Sequence, residues 1–112
     1  MEESILKTIK KLIGDNPTNP SFTIDLIIHI NTVLNILHQL GVPTEDKFVI
    51  TGDDEVWDDY LDDEKYLDMV KTYVYMKCRI VFDPPTGSVK DAFEKQIAEL
   101  EWRINVEVEN AE

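Results

Sequence analysis

The chain has 112 residues, and 23 acidic against 11 basic side chains give it a formal charge of −12. That length makes one domain, 1–112, with a core adequate without metals or staples. A single cysteine, Cys78, excludes an intrachain disulfide and suits a reduced, cytoplasmic protein. The acidity excludes a grip on a phosphate backbone, which runs on cation–phosphate contacts and counterion release.

Residues Glu3 to Ile13 read as a first helix, with Ile5, Leu6, Ile9, Leu12 and Ile13 on one face, Lys7, Lys10 and Lys11 pointing away, and Glu2 and Glu3 at the positive end. The lysines interrupt every candidate secretory run. No stretch approaches the roughly 20 apolar residues that span a bilayer, so no membrane partner is expected. Gly14 is a stop signal, and 15–20 carries turn chemistry. Ser21 or Thr23 is a candidate cap for a second helix, Ile24 to Leu40, whose Leu26, Ile27, Ile30, Val33, Leu34, Ile36, Leu37 and Leu40 make it the central core element. Asn31, Asn35 and His38 form its polar stripe. Gly41 and Pro43 end it. Phe48 to Thr51 then reads as a short β-like run or an extended arm, followed by a turn or two of helix that pins Trp57, Tyr60 and Leu61 to the core.

The run from Tyr66 to Pro85 is the most informative stretch. At about 100° per residue, Leu67, Met69, Val70, Tyr73, Val74, Met76, Cys78, Ile80 and Val81 fall with Tyr66 on one arc too broad for a small domain to cover. Lys77 lies near its middle, where a charge must snorkel out or meet a carboxylate, for which another subunit is a candidate source. Asp83-Pro84-Pro85 stops the helix. Ser88 is placed to cap a last helix, Val89 to Asn105, with an apolar stripe of Val89, Phe93, Ile97, Leu100 and Ile104. Trp102 lies off that stripe beside Ala98 and Val106, a natural anchor for a second surface. From Ile104 to Glu109 apolar and polar residues alternate, which predicts an extended tail able to augment a neighbour's sheet.

Eight carboxylates, Asp53, Asp54, Glu55, Asp58, Asp59, Asp62, Asp63 and Glu64, crowd one segment that holds no cation. A solvated loop is the plain reading, and an acidic channel or partner surface the sharper one. The order of acids is not that of an EF-hand. His29 reads as a satisfied core histidine, and nine positions separate it from His38, too far round the helix for both to chelate one metal. No Gly-rich phosphate loop, CxxC pair or nucleophile elbow occurs. Neither a catalytic set nor a cofactor or metal site is therefore expected.

Three stretches resemble a known family. They are Asp25-Leu26-Ile27-Ile28-His29-Ile30-Asn31, Val70 to Lys77 with Arg79 and Phe82-Asp83-Pro84-Pro85, and Gln96 to Ile104. Together they resemble the head-tail connector proteins of tailed bacteriophages, also called head-completion or adaptor proteins, over nearly the whole chain. The resemblance implies an all-α, non-enzymatic subunit of four to five helices. It also implies a ring, usually dodecameric, that docks under the portal protein after DNA packaging, extends the channel toward the tail and meets the next head-completion or tail-joining protein. Packaged DNA would pass without specific binding, in a virion assembled in the host cytoplasm. Lys77, Arg79 and Trp102 are then the candidates for contacts between subunits, and Arg103, Ile104, Val106 and Val108 for portal docking. The acidic run repels the phosphate backbone, so a genome slides past it. The rival is an acidic DNA mimic or regulatory binding protein, which should spread carboxylates over a long face and not crowd them into one segment.

Overall fold

Helix α1, Ile5–Ile13, starts at Ser4, whose hydroxyl accepts a hydrogen bond from the Lys7 amide at 3.2 Å and satisfies one of the open donors of the first turn. The coordinates are a computed structural model that describes residues 4–14, 20–42, 48–61 and 64–111. The expectations placed on Glu2, Glu3, residues 15–19, Pro43, Asp62 and Asp63 lie outside the described residues. Ile5, Leu6, Ile9 and Ile13 are buried as the spacing requires, whereas Leu12 is turned to solvent.

Helix α2, Pro20–Gln39, begins earlier than expected, because Pro20 opens it at a position where the missing N–H costs nothing. Ser21 and Thr23 are therefore inside the helix. Leu26, Ile30, Val33, Leu34 and Leu37 are buried, which makes α2 the central core element predicted. By length and composition alone Ser21–Gln39 is also long and apolar enough to cross a bilayer, contrary to the expectation from the sequence, but these five side chains pack in the protein core. A Schellman turn ends the helix: Val42 donates to the Leu37 carbonyl at 2.9 Å and Gly41 to that of His38 at 3.0 Å, with Gly41 at φ 103°.

The run Phe48 to Thr51 does not pair as a strand. Its central residue, Ile50, has both main-chain groups taken by the side chain of Asn31, with Ile50 N–H donating to Oδ1 at 2.7 Å and Nδ2 donating to the carbonyl at 2.9 Å. One amide thus does what a neighbouring strand would do. Among the described residues the β-type pairing present is an isolated bridge, Ser4 to Val56. Helix α3, Trp57–Tyr60, follows, as the sequence suggested. Trp57 is buried with its Nε1–H on Thr8 Oγ1 at 3.2 Å and Lys71 over its ring, so it ties α3 to α1 and to the next helix.

Helix α4, Glu64–Phe82, packs against α1, α2 and the final helix α5, Gly87–Ala111. Its broad arc is covered within the subunit. Val70, Tyr73, Val74, Met76 and Cys78 are buried and Leu67, Met69 and Ile80 half-buried, which corrects the expectation that much of this face is surplus. Val81 alone among the described arc residues stays largely exposed. The Asp83 amide closes α4 on the Arg79 carbonyl at 2.8 Å, and the two prolines turn the chain into α5.

Helix α5 corrects the extended tail. It runs unbroken through Ile104–Glu109, because Ile104 and Val108, spaced by four, both reach the core on one helical face. Near its end Val108 packs against the Gly41 turn so closely that a Cβ at Gly41 would lie 2.7 Å from Val108 Cγ1. The observed architecture is thus all-α, with no strand among the described residues.

Candidate assembly surfaces

The described start of the acidic segment, with Thr51 and Gly52 before it, is a folded turn. The Glu55 carboxylate accepts from Thr51 N–H at 3.0 Å, from Thr51 Oγ1 at 2.9 Å and from Gly52 N–H at 3.4 Å, while its own carbonyl accepts from the Ile5 amide at 3.0 Å. Burial pushes this carboxyl upward, yet the hydrogen bonds from Thr51 and from the Glu55 and Gly52 backbone together hold it below its ordinary value. Glu55 is therefore an organising residue of the turn. Asp59 accepts from the Val56 amide at 3.4 Å, and Asp53 lies 3.8 Å from Lys7 in an exposed ion pair worth little by itself. Asp53, Asp54, Asp58 and Asp59 all face solvent. Glu64 is the first residue of α4.

Lys77 is half-buried, with its ammonium 6.0 Å from the centre of the Tyr73 ring. Its carbonyl meets His29 Nε2 at 3.1 Å, which makes that nitrogen the donor and satisfies the histidine; the ring also packs edge-on against Phe82. Tyr73 in turn donates to Glu101 Oε2 at 2.6 Å, joining α4 to α5. Burial first, then the hydrogen bond to Glu101 and its charge, push the Tyr73 hydroxyl well above its ordinary value. Arg79 is likewise engaged inside the subunit, donating to Tyr75 Oη at 2.9 Å and stacking 5.1 Å from the Phe93 ring centre, with Asp83 at 3.7 Å. It clamps the α4–α5 elbow.

Trp102 is placed as the sequence suggested, on α5 and 66% exposed. Of the four residues assigned to docking, Ile104 and Val108 are buried in the subunit, Val106 is half-buried, and Arg103 is exposed and paired with Glu99 at 2.8 Å. The first two support the helix from inside and are not outward contacts. Sequence reasoning missed Ile24 and Ile28, which are 60% and 61% exposed on α2. The signal was their place opposite the Leu26–Ile30–Leu37 face, masked by the overall apolarity of the helix.

Among the described residues the reactive groups do not converge on one point. Cys78 is buried, and burial pushes its thiol up to about 12, so little thiolate forms at neutral pH. Among the described residues no group of three or more His, Cys, Asp or Glu is placed to hold a metal ion. No curated protein and no solved structure matches the chain. A family model described as phage connector protein, however, matches residues 5–111, from the first residue of α1 to the last of α5. With that span covered, the chain belongs to the phage connector protein family.

Proposed function

We propose that this chain is a structural, non-enzymatic subunit of the head-tail connector, in which copies form a ring under the portal, complete the head after DNA packaging and extend the channel toward the tail. The observation that carries the reading is the family match over residues 5–111. The exposed Trp102, with Arg103 and the half-buried Val106 on the same helix, supports an outward role for α5. Trp102 is the side contact between subunits. Lys77 and Arg79 support it from within, Lys77 through its carbonyl contact with His29 of α2 and Arg79 by holding α4 on Phe93 of α5. Arg103 and Val106 dock on the portal, with Ile104 and Val108 as the buried side of the same helix. Asp53, Asp54, Asp58 and Asp59 present negative charge to the channel, where repulsion from phosphates lets a genome slide. The place of action is the head-tail junction of the virion, reached after assembly in the host cytoplasm, and the tail-side partner is the next head-completion or tail-joining protein.

The test is the native mass of the purified chain with and without its cognate portal ring. A complex with about one copy per portal subunit is expected. Two components that never associate would overturn the reading.

A further inference from the structure

Ile28 forms the apolar part of a shallow concavity of about 310 Å3 on α2, lined also by Asn31, Thr32 and Asn35. Ile24 extends this exposed apolar face by one turn. Thr32 turns its hydroxyl back to the Ile28 carbonyl at 3.0 Å and Asn31 is occupied with Ile50, whereas the Asn35 amide makes no hydrogen bond among the described residues. On α5, Trp102 is its counterpart: a large exposed ring whose indole N–H has no acceptor among the described residues. Both stand well exposed in the same subunit, so neither covers the other.

We propose that Trp102 of one copy inserts into the Ile28–Asn31–Thr32–Asn35 concavity on α2 of a second copy. The inference rests on the ring reading above and names the surface that receives the tryptophan. Three features select a second copy of this chain as the occupant. The concavity has room for one large side chain and not for a helix, and it combines an apolar wall with the Asn35 amide, whose oxygen can accept from the indole N–H. Charge points the same way. The Trp102 helix is rich in acids, with Glu99, Glu101, Glu107 and Glu109 nearby, and would be repelled by the Asp53–Asp59 surface of a neighbour. Helix α2 carries one carboxylate, Asp25, and so repels the incoming acidic helix far less. The lysine-lined concavity on α1, walled by Lys7, Lys10 and Lys11, is the competing socket, but an indole entering it would have to strip water from ammonium groups. A contact between α2 of one copy and α5 of another uses two different surfaces. Where each copy gives its tryptophan to one neighbour and receives one from another, the contact is heterologous, the kind that closes into a ring by rotation.

The experiment crosslinks one wall of the socket to the flank of the tryptophan. A Thr32→Cys chain is mixed with an Ala98→Cys chain, both exposed positions, and treated with a short bis-maleimide, on the free protein and on the protein bound to its cognate portal. A mixed dimer should form, and adding Trp102→Ala to the Ala98→Cys chain, or Ile28→Glu to the Thr32→Cys chain, should lower its yield about thirtyfold. Equal yields with and without those changes would overturn the proposal. So would faster crosslinking of Ala98→Cys to Lys11→Cys, or no crosslink in either setting. The ring reading is judged separately by native mass. If an Ile28→Glu chain still assembles on the portal at full copy number, the socket is wrong and the ring stands; if the unaltered chain never assembles there, the ring reading itself fails.

Discussion

The turn after α2 is where one added methyl group should do the most damage. Gly41 sits at φ 103°, outside the range that L side chains adopt easily, and its Cβ would lie 2.7 Å from Val108 Cγ1, against about 3.5–4.0 Å for carbons in contact. Gly41→Ala therefore combines backbone strain of about 1–2 kcal/mol with overpacking of about 1–3 kcal/mol. Gly14→Ala is the control: its φ is 89°, but nothing lies within 4 Å, so strain acts alone. Urea unfolding followed by circular dichroism should place Gly41→Ala about 1–3 kcal/mol below Gly14→Ala with an unchanged m value. Val108→Ala by itself should cost about 2 kcal/mol for two lost methyl equivalents. In the double variant the clash is gone, so its loss should be smaller than the sum by about 1–2 kcal/mol. Strict additivity, or a Gly41→Ala no worse than Gly14→Ala, would refute the claim that the end of α5 is seated on this turn.

Asn31→Leu strips both partners from the Ile50 backbone and should cost about 2–4 kcal/mol, with the Ile50 amide exchanging its hydrogen faster than amides within α2. Tyr73→Phe removes the charge-assisted bond to Glu101 and should lower stability by about 1–2 kcal/mol in thermal melts. The Cys78 thiol, raised from 9.0 to about 12 by burial, keeps its proton in the folded state while the unfolded chain releases it. Its contribution is full below pH 9 and lost as pH climbs from 9 to 12, at up to about 1.4 kcal/mol per pH unit, so Cys78→Ala should flatten the decline in melting temperature between pH 9 and 10. Replacing Asp54 and Asp58 by asparagine, neither of which is bonded among the described residues, should slow genome release from virions; unchanged release would remove the channel role from this segment.

Much of the helical framework is legible from spacing. The buried sets of α1 and α2, the stop at Asp83-Pro84-Pro85, the pinning of Trp57 and Tyr60 and the satisfied His29 all follow from periodicity and turn chemistry. Two misreadings have one physical origin. Phe48–Thr51 is a short run of strand-forming residues and Ile104–Glu109 alternates with period two, but either pattern specifies a strand only when another strand is there to pair. Asn31, far away in sequence, takes the first segment's hydrogen bonds. In the second, Ile104 and Val108 share a helical face as well as a strand face, since a spacing of four fits both periods, and continuing α5 keeps every backbone group bonded. No local pattern announces either outcome.

The same limit explains why the candidate contacts move. A broad apolar arc on α4 looks like surplus only while its neighbours are unknown; once α1, α2 and α5 are packed on it, the arc is core. Lys77 and Arg79 then become links of that packing, one beneath the His29 contact and over Tyr73, the other across the elbow to Phe93. Apolar area left for a neighbour then lies mostly on faces turned away from α4, and among the described residues the most exposed large apolar side chains are Ile24 and Ile28 on α2 and Trp102 on α5. Because these belong to two helices that flank α4, a subunit that uses both has two unlike sides, and where each side meets a different neighbour the contacts propagate from copy to copy without pairing them off.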